Sequence, residues 1–185
     1  LELRADSSLG VPGLLQAIRA QQVLVLNHPG SGFLESNALL GFMPALAEQL
    51  LGEALQLPAI PSWWCGESAA WDDAQAQLAD GVVKPSYPSG AQHHSFEPML
   101  GHQLNEVQRA ACLRAIAQDP EAHTIQRWLA LSHQPVWRGP EDQAGHLETR
   151  PLVLRVFALS DANGDIQVVP GGLARLGTRE GIASM

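Results

Sequence analysis

Charge is scarce in this sequence. Asp, Glu, Lys and Arg make up 16% of its 185 residues, against roughly 25% in an average domain. The deficit predicts a large buried surface, against a partner or another part of the same protein. Positive charge is scarcer still: 11 Lys and Arg stand against 19 Asp and Glu, for a net charge of −8. A sequence-independent grip on DNA or RNA needs clustered cations, so no nucleic-acid partner is expected. A small anion held by a few local cations stays open. Cysteine is limited to Cys65 and Cys112, neither in a CxxC pattern. That argues against a zinc site, assigns no metal ligands, and reads both as reduced thiols of a cytoplasmic protein. No apolar run approaches the ~18 residues of a membrane span, and no signal-peptide pattern is read at the start, so no membrane partner is expected.

Hydrophobic residues make up 45% of the chain. That is enough for one folded domain with a real core, or for two small lobes. The chain opens at Leu1-Glu2-Leu3-Arg4 without an initiator Met and closes at Ala183-Ser184-Met185. These ends suggest a piece of a longer protein.

Helix and strand signals alternate. Pro12 opens a helical pattern with Leu14, Leu15 and Ile18. Val23-Leu24-Val25-Leu26 has the look of a short buried strand. Ser36 or Asn37 caps a helix toward Leu51 that Pro44 should kink or split, with Gly52 just past its end. A helix is expected over Ser68–Leu78, and a β-branched strand around Asp80–Tyr87. Asn105 caps Glu106–Gln118, which Asp119-Pro120 ends. Thr124–Leu131 reads as a strand. Pro151–Leu159 and Ile166–Val169 read as a hairpin about the turn Asp161–Asp165, broken by Pro170-Gly171-Gly172. The expected division is 1–80, an α/β segment, and 81–185, which holds the lysine strand, a further strand and the hairpin.

Lys84 is the most informative single residue. Alternation along a strand puts Val82, Lys84 and Ser86 on one face. A small-residue loop (Pro88, Ser89, Gly90, Ala91) follows at once. A cation beside a loop with free backbone N–H groups suits phosphate. The same pattern also fits an exposed Lys on an edge strand that Pro85 ends. Gly30-Ser31-Gly32, between a strand and a helix, is either an anion-binding turn using the N–H groups of Ser31 and Gly32 or a plain tight turn. It lacks the ending of a phosphate-binding P-loop, and Pro29 breaks a nucleophile-elbow pattern.

His93, His94 and His102 fit a solvated loop better than a metal site, because adjacent side chains on an extended segment point opposite ways. Trp63-Trp64-Cys65-Gly66 suits core packing. Arg155 is the one charge inside Leu152–Leu159, so it must reach a carboxylate, a phosphate or solvent. Arg175 follows the Gly171-Gly172 turn and reads as a surface Arg or a second ligand contact.

These segments, in this order, resemble the circularly permuted ATP-grasp proteins of type 2. That bacterial family was long catalogued as domains of unknown function, and some members are described as relatives of glutathionylspermidine synthase. The matching residues are Leu1–Arg4 with Asp6–Leu15, then Asn27 with Gly30-Ser31-Gly32 and Leu34-Glu35-Ser36. They continue in Trp63–Gly66, Val83-Lys84-Pro85, Glu97-Pro98, Leu131-Ser132 with Pro135-Val136-Trp137, and Arg150-Pro151 with Leu154–Phe157. Pro170–Leu173 with Arg175 completes the set.

The resemblance implies an α+β, ATP-grasp-like fold, circularly permuted and incomplete at both ends. It implies ATP as a ligand, and a carboxylate activated as an acyl phosphate for attack by an amine or thiol. By resemblance Lys84 contacts the α- and β-phosphates, and Ser89 and Gly90 belong to a lid. Thr124-Ile125-Gln126-Arg127 is the hinge strand that meets adenine through its backbone. Arg155 and Arg175 are the catalytic candidates. Relatives usually carry an acidic residue where Arg127 stands, and the lid here has a single glycine. Mg²⁺ is implied too, but the tail strands carry no carboxylate, so its ligands are expected outside this chain. The implied partners are ATP, a carboxylate and an amine substrate, and missing domains of the same protein. The resemblance thus implies an ATP-dependent carboxylate–amine ligase whose present portion is inactive alone. The alternative is a degenerate module that binds nucleotide weakly or only packs against other domains.

Overall fold

A computed structural model of the chain describes residues 11–27, 30–87, 96–139 and 145–177. Contacts group the chain into two compact units, Leu1–Trp128 and Leu129–Met185. The sheet of the first unit draws strands from both sides of residue 80.

In the first unit the helices start and stop where local chemistry directs. The α1 helix (Leu14–Arg19) follows a turn at Pro12 and Gly13. Ser36 accepts from Ala38 N and caps a 3₁₀ helix, Asn37–Gly41. Pro44 sits in the first turn of α2 (Met43–Leu51), where its missing N–H costs nothing. The helical stretch is therefore divided just ahead of Pro44, and Gly52 closes α2 at φ 73°. The α3 helix covers Ser68–Gln77. Asn105 and Gln108 form a reciprocal capping box at the start of α4 (Glu106–Gln118), at 2.9 and 3.0 Å.

The strands of this unit are β1 (Ser62–Trp64), β2 (Gly81–Pro85), β3 (Met99–Leu100) and β4 (His123–Arg127). They pair antiparallel in the order β1-β4-β2-β3. One face of the sheet is apolar. Val83 and Ile125 stand opposite each other there and meet Ala74 and Leu78 from the α3 region and Cys112 and Ile116 from α4. Those helical pairs are four residues apart, one turn, so each helix presents one stripe. Burying such a Val, Leu or Ile stabilises the fold by about 1.5–3 kcal/mol each.

The second unit is a three-stranded antiparallel sheet in the order β5-β6-β7. Its strands are β5 (His133–Arg138), β6 (His146–Ser160) and β7 (Ile166–Leu176). At the β6–β7 turn the Asp161 carboxylate accepts from the N–H groups of Asn163 and Asp165.

Four expectations need correction. Val23–Leu26 is not a strand, and Leu24 and Leu26 are 86 and 81% exposed. Positive φ at Gln21 and Asn27 bends the chain on either side of the run, which denies it a partner strand. The strand at Thr124 ends at Arg127 rather than Leu131. Pro170-Gly171-Gly172 does not end β7. An irregularity opposite Val156–Ala158 absorbs it, with Gly171 at φ 135°, and pairing resumes to Leu176. Proline is tolerated because β7 is an edge strand. Finally, β2 is an inner strand rather than an edge strand, although β3 pairs only with Val82 and Val83 and stops short of Lys84. The β5 strand had no clear signal, because Pro135 sits in the middle of a short polar run.

Candidate functional site

The second face of the first sheet is polar. Alternation turns Lys84 and Ser86 away from the core, and the register sets Thr124 opposite Lys84 and Gln126 opposite Val82. Ser62 pairs with Gln126 on the far side. Lys84 Nζ donates to Gln126 Oε1 at 2.8 Å. Gln126 Nε2 donates to Ser62 Oγ at 3.1 Å, and Ser62 Oγ donates to the Ile60 carbonyl at 2.9 Å. The Ser86 and Thr124 hydroxyls lie 2.9 Å apart, and both side chains are fully buried.

Lys84 is half-buried, and desolvation pulls its pKa below the ordinary lysine value. Among the described residues it has no carboxylate partner. A cation that is partly desolvated and unneutralised favours any anion that reaches it. Its ammonium suits the oxygens of a phosphate group, whereas the Ser86 and Thr124 hydroxyls are buried and bonded to each other.

The segment after Gly30-Ser31-Gly32 is tied to the end of the lysine strand. Ser36 Oγ donates to the Ser86 carbonyl at 2.8 Å, and Asn37 Nδ2 donates to the Pro85 carbonyl at 2.7 Å. Ser31 and Gly32 lie in a 3₁₀ helix, Ser31–Glu35, and no strand precedes them among the described residues. Gln126 contributes its side chain to the Lys84 network, and its side chain is 6% exposed. Arg127 is exposed. Its backbone N–H donates to the Pro61 carbonyl, and that of Trp128 to the Asp80 carbonyl. Those two donors, at the end of β4 and just past it, are thus taken up within the protein. Ser89 and Gly90, with His93 and His94, lie outside the described residues.

Arg155 and Arg175 belong to the second unit. Arg155 stands opposite Leu173, and Arg175 opposite Val153. The two arginines therefore share one face as diagonal neighbours, within reach of long side chains. Both are exposed, so Arg155 reaches solvent, and neither has a carboxylate partner among the described residues. Elsewhere on β5–β6, Glu148 takes Arg138 Nε at 2.5 Å and Arg150 Nε at 2.8 Å. The hydrogen bond from Arg150, then that from Arg138, pull the Glu148 carboxyl down to about 2.

The thiols show no sign of activation. Cys65 is pushed up to about 12 by burial, and burial also raises Cys112. Both are free and buried in the core. Among the described residues no three His, Cys, Asp or Glu side chains gather to hold a metal ion.

Sequence reasoning singled out Lys84 and Gln126, but the contacts of Ser36, Asn37, Ser62 and Thr124 beside them were not foreseen. Alternation back from Gln126 points to Thr124. Nothing local points to Ser62, which is 64 residues from its partner. A further signal was available: Lys84 is the only lysine in the chain.

Comparison with known proteins finds a matching family and several relatives. The circularly permuted ATP-grasp type 2 family matches residues 1–177. An uncharacterised protein of Synechocystis sp. is 29% identical over 178 residues, 96% of this chain and 35% of that protein. An uncharacterised protein of Mycobacterium leprae is 32% identical over 181 residues, 98% of this chain and 30% of its own length. One from Mycobacterium tuberculosis is 30% identical over 171 residues, 92% of this chain and 18% of its own length. The chain thus spans about a third or less of these relatives.

Proposed function

The chain belongs to the circularly permuted ATP-grasp type 2 family, and from that membership we propose that it forms part of the nucleotide site of an ATP-dependent carboxylate–amine ligase. The observation that carries this reading is Lys84, a half-buried cation with no carboxylate partner among the described residues, on the polar face of an inner strand. ATP, as substrate, supplies the phosphoryl group that activates a carboxylate for attack by an amine. Phosphoryl transfer asks mainly for positioned cations and donors in a site that excludes water.

In this reading Lys84 contacts the α- and β-phosphates, and Ser89 and Gly90 lie in the lid over them. Gln126 and Arg127 belong to the hinge strand, which meets adenine through its backbone. Ser31 and Gly32 offer backbone N–H groups. Arg155 and Arg175 meet the negative charge of the reacting groups. Magnesium ligands come from parts of the protein outside this chain, as do the domains that complete the site, and the enzyme works in the cytoplasm. Taken alone, the chain is expected to show no sustained turnover.

Calorimetry with ATP and Mg²⁺ tests the reading. Lys84→Ala is expected to weaken binding at least tenfold, about 1.4 kcal/mol. Equal affinity in the folded variant removes Lys84 from the site. No binding by the folded wild-type chain favours a site that is degenerate, as in the alternative of a module that packs against other domains, or incomplete, and the longer protein then tells the two apart.

A further inference from the structure

Gln126 lies in the strand expected to meet adenine, yet its side chain is spent on Lys84. The hydrogen bonds around it have one consistent direction. The Ile60 carbonyl can only accept, so the Ser62 hydroxyl gives it its proton at 2.9 Å. The Ser62 oxygen is then an acceptor, and the group facing it at 3.1 Å must be the Gln126 amide N–H. The amide oxygen therefore faces Lys84, whose ammonium can only donate, at 2.8 Å. A flipped amide would set N–H against N–H and leave two oxygens facing each other. Gln126 is 6% exposed, so water offers it little alternative.

We propose that Gln126 and Ser62 are positioning residues for Lys84, a relay that aims the ammonium while leaving its charge uncancelled. This rests on the nucleotide reading for what the ammonium meets, but not for the relay itself. One of three ammonium protons is held by the amide, and two remain for an anion. A carboxylate at 126 would hold the lysine as firmly but would neutralise it and repel phosphate. A neutral amide is the side chain that orients without competing.

Among the described residues, the elements against Lys84 bring no other charge to this face. The β4 strand brings Thr124 and Gln126, β1 brings Ser62 and Trp64, and the latched segment brings Ser36 and Asn37. A shift in the lysine titration therefore reports the relay.

The test uses the single lysine. Lysine-labelled protein gives one side-chain ε-carbon signal, whose pH titration follows Lys84 alone. Gln126→Leu removes the acceptor and is expected to move the midpoint down. Gln126→Glu adds a counter-charge and is expected to move it up. Ser62→Ala, at a half-buried position, is expected to follow Gln126→Leu more weakly, and repeats the test should Gln126→Leu not fold. ATP affinity is expected to fall roughly tenfold in both Gln126 variants. For Leu the ammonium is no longer aimed, and for Glu it is neutralised. Unchanged titration in folded Gln126→Leu and Ser62→Ala overturns the relay, whatever ATP does. Titrations that move as stated, in a chain that binds no ATP, uphold the relay and show that this chain alone holds no working nucleotide site.

Discussion

At the scale of single residues, electrostatics separates the charges of this protein into two kinds. Glu148 lies between two guanidinium groups, and its carboxyl is held down to about 2 by hydrogen bonds from Arg150 and Arg138. A depressed carboxyl stabilises the fold above its ordinary pKa of 4.5 and loses that contribution as pH falls toward 2. A carboxyl-carbon NMR titration should therefore place the Glu148 midpoint near 2. Glu148→Gln should lower stability at neutral pH, and the gap to wild type should close in that acid window. A midpoint in the ordinary carboxylate range would show that the two arginines do not hold it. Lys84, Arg155 and Arg175 are of the second kind, cations without a carboxylate partner among the described residues. Such charges await a ligand or face water, and Lys84 stands apart because burial already disfavours its charge.

At the scale of elements, local chemistry placed most of the helices. The cap at Asn105, the split at Pro44 and the Gly52 stop were all legible, because each is settled within four residues of sequence. The strands were less legible. Val23–Leu26 had the right composition and no partner strand among the described residues. The β5 strand had a partner and unpromising composition, because its pairing with β6 comes from residues well along the chain. One junction shows how tightly the elements meet. A Cβ on Gly101 would lie 1.7 Å from the Leu78 carbonyl oxygen, which is backbone and has little room to retreat. Gly101→Ala is thus expected to destabilise the first unit by about 2–3 kcal/mol, measured by urea unfolding. A loss under half that would mean that the turn after Leu78 gives way easily.

At the scale of the whole molecule, the first unit has a closed apolar core, while the second, taken by itself, is a sheet with much apolar surface. Leu154, Val156 and Leu176 share a face of β6–β7 and are 67, 65 and 48% exposed. Apolar patches of this kind mark surfaces that something covers. The chain by itself is expected to bind a hydrophobic dye and to self-associate with rising concentration. The double variant Leu154→Lys, Val156→Lys should reduce both. A monodisperse, dye-free wild-type chain by light scattering would contradict this.

The sequence by itself determined the family, the α+β character, the helix ends and the lysine that anchors the proposed site. Each of these is written in short, ordered motifs or in local backbone preferences. Only the tertiary structure decided that Lys84 stands on an inner strand, that Gln126 faces it, and that the Gln126 amide meets Ser62. Those contacts join residues 42 and 64 apart. Strand order and register arise from which faces can be buried together, a choice that no local stretch of chain makes alone.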